Sequence, residues 1–196
     1  IYHAMQVLHD GGGIYCFAGK NMVLRGNLIH DIDDTGGYGA SAYYLDERSE
    51  DCVVEGNLSY NVAWPSHNHM ALKNTIRNNV FVYDGDMQLT FPRSTQFLLE
   101  HNVIVATGSI KFTNVDALTL HNNVLFSGKG IVTGVHLKDY GATGQGKIEA
   151  AEPNTMADPK LLEYETGRIR FAPDSYVLKM GISVLDVSKA GRLVKD

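Results

Sequence analysis

The chain has 196 residues, 44% of them apolar and 20% charged. That balance belongs to a folded domain or a solenoid array and excludes a disordered chain. A net charge of −5 without a basic tract gives nucleic acid no electrostatic footprint, and no apolar run approaches the roughly 20 residues of a membrane span.

Residues 1–13 are a broken lead-in that ends in three glycines. A short alternation, Ile14-Tyr15-Cys16-Phe17, follows, then a Gly-Lys-Asn corner, Met22-Val23-Leu24 and Gly26-Asn27-Leu28-Ile29. The stretch 37–61 repeats this pattern with Tyr43–Asp46, a charged corner, Cys52-Val53-Val54 and Gly56-Asn57-Leu58. Asparagines 27, 57, 79, 102 and 123 recur at steps of 30, 22, 23 and 21 residues, and each precedes Leu or Val. Short strands rich in Val, Ile, Leu and Phe, separated by Gly and Asn corners at such a period, predict a solenoid with three short strands per coil. Coils then lie about 4.8 Å apart, so like residues stack. The asparagines read as an architectural ladder, placed where a corner needs a residue that tolerates the left-handed conformation. Cys16 and Cys52 fall in different strands without metal-type spacing, and read as two buried free thiols.

After Gly130 the pattern loosens. Residues 138–154 read as a loop, and the tail from Asp158 to Gly181 as the segment that closes the open end. The organisation expected is one domain: β-helix coils over 1–137, then a loop and C-terminal capping segment over 138–196.

Alternate side chains of a strand face opposite ways. With Ile14, Cys16, Tyr43 and Leu45 inward, the outer face of the first strand carries Tyr15 and Phe17, then Tyr44 and Asp46. His67 and His69, Gln88 and Thr90, and Lys111 and Thr113 follow coil by coil. Aromatic rings beside hydrogen-bonding groups suit a pyranose, with its apolar faces and hydroxyl rim. The substrate-binding candidates are Tyr15, Phe17, Tyr44, His67, His69, Gln88 and Lys111. Two acidic stretches, His9-Asp10 and His30-Asp31-Ile32-Asp33-Asp34, enter the same strand ahead of glycines and are expected to form one wall, with Glu47 on the other. Converging carboxylates meet the needs of glycoside hydrolysis, in which one acid protonates the leaving oxygen and one carboxylate is nucleophile or base. The catalytic candidates are Asp46, Asp34, Asp10 and Glu47. Asp31 and Asp33 read as turn residues. His67 and His69 with Asp46 or Asp34 offer metal-ligand types, but no third ligand is fixed, so they read as sugar contacts and no metal or cofactor is assigned.

The segments DGGGIY (10–15), GNLIHDI (26–32), YYLDERS (43–49), GNLSYN (56–61) and RNNVFV (77–82), with the tail at 158–181, resemble the right-handed parallel β-helix proteins of the pectin-lyase-like superfamily. The likeness is to its bacterial glycoside hydrolases, and it covers nearly all of the chain. It implies an all-β, right-handed parallel β-helix with a C-terminal capping segment, a secreted or periplasmic location, and a plant or algal cell-wall polysaccharide as partner. Family members are usually longer, so the chain reads as truncated at its N-terminus. The same scaffold also carries lyases and inert binding proteins. Lys111 and Arg93 keep a polysaccharide lyase as the alternative, and a non-catalytic carbohydrate-binding β-helix or inactive fragment is a third reading.

Overall fold

The computed structural model describes residues 1–33, 36–146, 148 and 154–191. Strands are numbered in chain order. Three parallel sheets run along the molecule. The first holds β1 (Gly11–Cys16), β4 (Ala40–Leu45), β7 (Ser66–Asn68), β10 (Met87–Thr90), β13 (Ile110–Thr113), β16 (Val132–Lys138) and β17 (Gly141–Gly146). The second holds β2 (Val23–Arg25), β5 (Val53–Glu55), β8 (Thr75–Arg77), β11 (Phe97–Glu100) and β14 (Leu118–His121). The third holds β3 (Leu28–Ile32), β6 (Leu58–Val62), β9 (Val80–Tyr83), β12 (Val103–Ala106) and β15 (Val124–Ser127). Each coil contributes one strand to each sheet, so the fold is the all-β parallel solenoid that the repeat predicts.

The asparagine ladder is present and continues one rung further, to Asn154. Each side-chain amide donates to the next side-chain oxygen: Asn27 to Asn57 at 2.9 Å, Asn57 to Asn79 at 2.9 Å, Asn79 to Asn102 at 3.0 Å, Asn102 to Asn123 at 2.9 Å and Asn123 to Asn154 at 2.9 Å. The second amide hydrogen of Asn79 reaches the Val54 carbonyl, and its Oδ1 also accepts the Asn57 backbone N–H. A buried amide with every donor and acceptor satisfied is what the interior demands. The expected reason for asparagine needs correction. The left-handed residue is the one before it: Gly26, Gly56, Asn78, His101 and Asn122 have φ between 51° and 68°. The ladder residue is chosen for its amide.

Inward residues of the three sheets meet in one core. Tyr43, Leu45, Phe81, Met87, Leu89, Phe91, Phe97, Leu99 and Phe112 are fully buried there. Cys16 and Cys52 point into it as free thiols. The outer faces differ. The second sheet presents a column Arg25, Glu55, Arg77 and Glu100, in which Glu55 accepts from both arginines. The third sheet presents Leu58, Val80, Val103 and Val124 in register. Those strands are therefore apolar on both faces and need a cover. The C-terminal segment supplies it: Ile169, Phe171, Val177, Ile182 and Val187 pack on that column. Ile148 and Met156 join the main core at the C-terminal end of the solenoid, so the segment also closes that end. Part of the expected loop at 138–154 is a strand instead. β17 pairs antiparallel with β16 as a hairpin on the edge of the first sheet. Its sequence, Gly-Ala-Thr-Gly-Gln-Gly, has no apolar alternation, so the open edge of β16 organises it.

Candidate functional site

The outer face of the first sheet is chemically mixed and carries two grooves. Strand register builds its columns. Tyr15 stands opposite Tyr44, Tyr44 opposite His67, and His67 opposite Thr90. One residue beyond β4 and one beyond β7, Asp46 and His69 form the next column. A groove of about 680 Å³ opens over them, lined by Asp10, Tyr38, Tyr44, Asp46, Glu47, His67, His69, Pro92 and Tyr140.

Asp46 is the hub. Its Oδ2 accepts from the Tyr15 hydroxyl at 2.6 Å, and its Oδ1 is 2.8 Å from His69 Nδ1. A carboxylate only accepts, so His69 Nδ1 carries the hydrogen, and Nε2 lies 2.8 Å from the Tyr140 hydroxyl. Burial raises the Asp46 pKa. The hydrogen bonds from Tyr15 and His69, aided by the Glu47 backbone N–H, outweigh it and hold the carboxyl below its ordinary value. Asp46 is thus ionised at neutral pH. Tyr15 moves the other way, pushed up to about 12 first by its bond to Asp46 and then by burial. Tyr44 is raised by burial, then by Asp46 and Asp10, and donates to Asp10 Oδ1 at 3.2 Å. Both phenols are proton donors, not bases.

His67 lies beneath Tyr44, ring centroids 4.4 Å apart, with Nδ1 on the Thr90 hydroxyl. Burial, then the neighbouring His69, lowers its pKa to about 4, so it is neutral at pH 7. His67 Nδ1 and both His69 ring nitrogens are engaged with protein groups. Among the described residues no cluster of three or more His, Cys, Asp or Glu side chains is arranged to hold a metal ion.

The sequence-derived candidates divide. Asp46, Asp10, Glu47, Tyr44, His67 and His69 come together in the groove, and Tyr15 anchors Asp46 from its edge. Phe17 is exposed beyond the groove lining. Asp34 lies outside the described residues. Asp31 sits on the third sheet, bonded to His30 and Asn61, away from the groove. Gln88 and Lys111 pair with each other, but two positions ahead of the Thr90 column. They line a second groove of about 470 Å³ with Ala63, Trp64, Tyr83, Asp86, Met87 and Ser109. Counting back from the ladder sets His67 opposite Thr90, because the two stand equally far before Asn79 and Asn102, but it fails for Lys111, which stands equally far before Asn123 and yet pairs with Gln88. Tyr38, Pro92 and Tyr140 are groove residues that alternation does not reveal. Tyr140 arrives from the turn between β16 and β17, 71 residues from His69. The same turn brings Asp139 to within 3.7 Å of Arg93, whose guanidinium lies 5.7 Å from the Tyr140 ring centre.

Comparison of the chain with protein-family models, curated proteins and solved structures finds no match. The geometry of the groove is therefore the basis for any functional reading.

Proposed function

We propose that this protein is a carbohydrate-active β-helix enzyme that hydrolyses glycosidic bonds of a plant or algal cell-wall polysaccharide in the groove around Asp46. The observation that carries the reading is an ionised carboxylate, fixed by Tyr15 and His69, in a groove that also holds Asp10, Glu47 and aromatic rings. The aromatic rings offer stacking surface to sugar faces, and the phenols and imidazoles offer bonds to hydroxyls. In this reading Asp46 is the nucleophile or the base that activates water, since its pKa is held down. Asp10 or Glu47 gives a proton to the leaving oxygen, completing the carboxyl pair that hydrolysis requires. With this reading goes the secreted or periplasmic location expected from the sequence.

One observation favours a second reading. Asp46 orients His69 so that Nε2 faces Tyr140, and Arg93 stands beside that ring. A base next to a cation is what a lyase uses to remove the proton beside a uronic carboxylate. A panel of defined plant and algal oligosaccharides, with product masses measured, separates the readings. Hydrolysis predicts products whose masses sum to substrate plus water. An unsaturated product without added water assigns the lyase, and binding without cleavage of any member overturns both enzymes.

A further inference from the structure

The second groove has a charge character opposite to that of the first. Its two charged residues are Asp86 and Lys111. The carboxylate of Asp86 is already occupied: Oδ1 accepts the Ser109 backbone N–H at 2.7 Å and its hydroxyl at 2.9 Å, and Lys129 Nζ lies 3.0 Å away. These contacts hold the carboxyl ionised and compensated, led by the Ser109 N–H. Lys111 is exposed on β13, and its ammonium has no hydrogen bond or ion pair among the described residues. The side-chain amide of Gln88, next to it in register, and the indole N–H of Trp64 have no partner there either. Three unengaged donors, one of them a full positive charge, thus share one groove with the rings of Trp64 and Tyr83.

Trp64 is held in place. Its ring lies against Gly39, where an added Cβ would come within 2.9 Å of it, and Gly39 has φ of 76°. The ring centre is 5.8 Å from that of His67, which lines the first groove. Trp64 therefore stands between an acid-lined groove holding Asp10, Asp46 and Glu47 and a groove whose uncompensated charge is positive. An aromatic platform with a lysine and an amide at its rim fits a sugar ring that bears a negative group.

We propose that the groove of Trp64, Gln88 and Lys111 is a separate subsite for an anionic sugar unit, a uronate or a sulfated sugar, contacted by Lys111 and Gln88. The assignment deepens the reading of the first groove as a glycan site. It makes the bound glycan one of mixed charge, with the anionic unit at the Trp64 groove and an uncharged unit facing the carboxylates. A uniformly anionic chain would place a negative group against Asp46.

The test is calorimetric titration of the full chain with three probes: a trisaccharide with a single terminal uronate on two neutral units, its carboxyl-reduced neutral counterpart, and that neutral trisaccharide bearing one terminal sulfate. At least one anionic probe is expected to bind about tenfold or more tightly than the neutral one, the scale of one charge-assisted contact. Whichever anionic probe binds more tightly assigns carboxylate or sulfate. Lys111→Ala is expected to abolish the preference, and Lys111→Arg to keep it. Arg93→Ala removes the cation beside the first groove and is expected to leave the preference in place. Thermal unfolding of each variant accompanies the titrations, and the exposed Lys111 is expected to be replaceable without loss of fold. The inference is overturned if the neutral probe binds equally well, if no probe binds, or if the preference survives Lys111→Ala or is lost with Arg93→Ala. Charge-selective binding without cleavage would leave this subsite standing while removing the hydrolase reading. Cleavage without charge selectivity would do the reverse.

Discussion

Asp46 is more than an exposed acid on a strand, because both its oxygens are engaged and the Tyr15 hydroxyl is one of the partners. That bond stabilises the ionised form, so Tyr15→Phe raises the Asp46 pKa. In the proposed chemistry Asp46 works ionised, and activity falls as pH drops through that pKa. The acid limb of the pH–rate profile is therefore expected to move to higher pH in Tyr15→Phe. Profiles of both proteins on one substrate check this, and an unmoved or downward-shifted limb contradicts it. The stability linkage has the same sign. A carboxyl whose folded pKa is depressed contributes stability above its unfolded value, and loses it as pH falls through the folded value. At this scale much of the groove is legible in the sequence. Alternation brings Tyr44 and Asp46 outward and the repeat sets them beside His67 and His69. Tyr140 is not legible, since a turn far along the chain delivers it and no local pattern marks it.

The strand-level device is the asparagine ladder, and it separates two neighbouring residues by role. Asn79 makes both side-chain bonds of its rung, whereas Asn78 supplies the left-handed backbone and its Oδ1 is buried without a partner among the described residues. Asn79→Ala strands the Asn57 backbone N–H and amide and the Val54 carbonyl, and is expected to cost on the order of 3–5 kcal/mol. Asn78→Gly places there the residue that the equivalent corners already have at Gly26 and Gly56, and is expected to change stability by less than about 1 kcal/mol. Chemical denaturation of the two variants checks the pair. Similar losses would mean that the amide is not what the position selects. The period of these asparagines is visible in the sequence, and with it the coil boundaries. Which of two adjacent corner residues takes positive φ is not visible, because asparagine suits both tasks.

For the molecule as a whole, three outer faces have three fates. The second sheet meets solvent through an alternating charge column, the third is covered by the C-terminal segment, and the first is left open with two grooves. The cover is implied by sequence: runs such as Val103-Ile104-Val105 are apolar on both faces and must be buried on both. Where the covering segment lies is not, since a tail of mixed composition offers no register to align. The placement of Gln88 and Lys111 was hidden for a related reason. Corners differ in length, so alternation fixes which face a side chain takes but not its position along the strand. With two faces committed, the open face is where function is expected, and Asp46 is at its centre. The most direct measurement is turnover of Asp46→Asn on a substrate that the wild-type protein cleaves, with thermal unfolding recorded alongside. The account predicts a loss of at least about a hundredfold with the fold intact, the scale of removing a catalytic acid or base. Wild-type turnover in a folded Asp46→Asn protein would contradict it and leave the groove as a binding face.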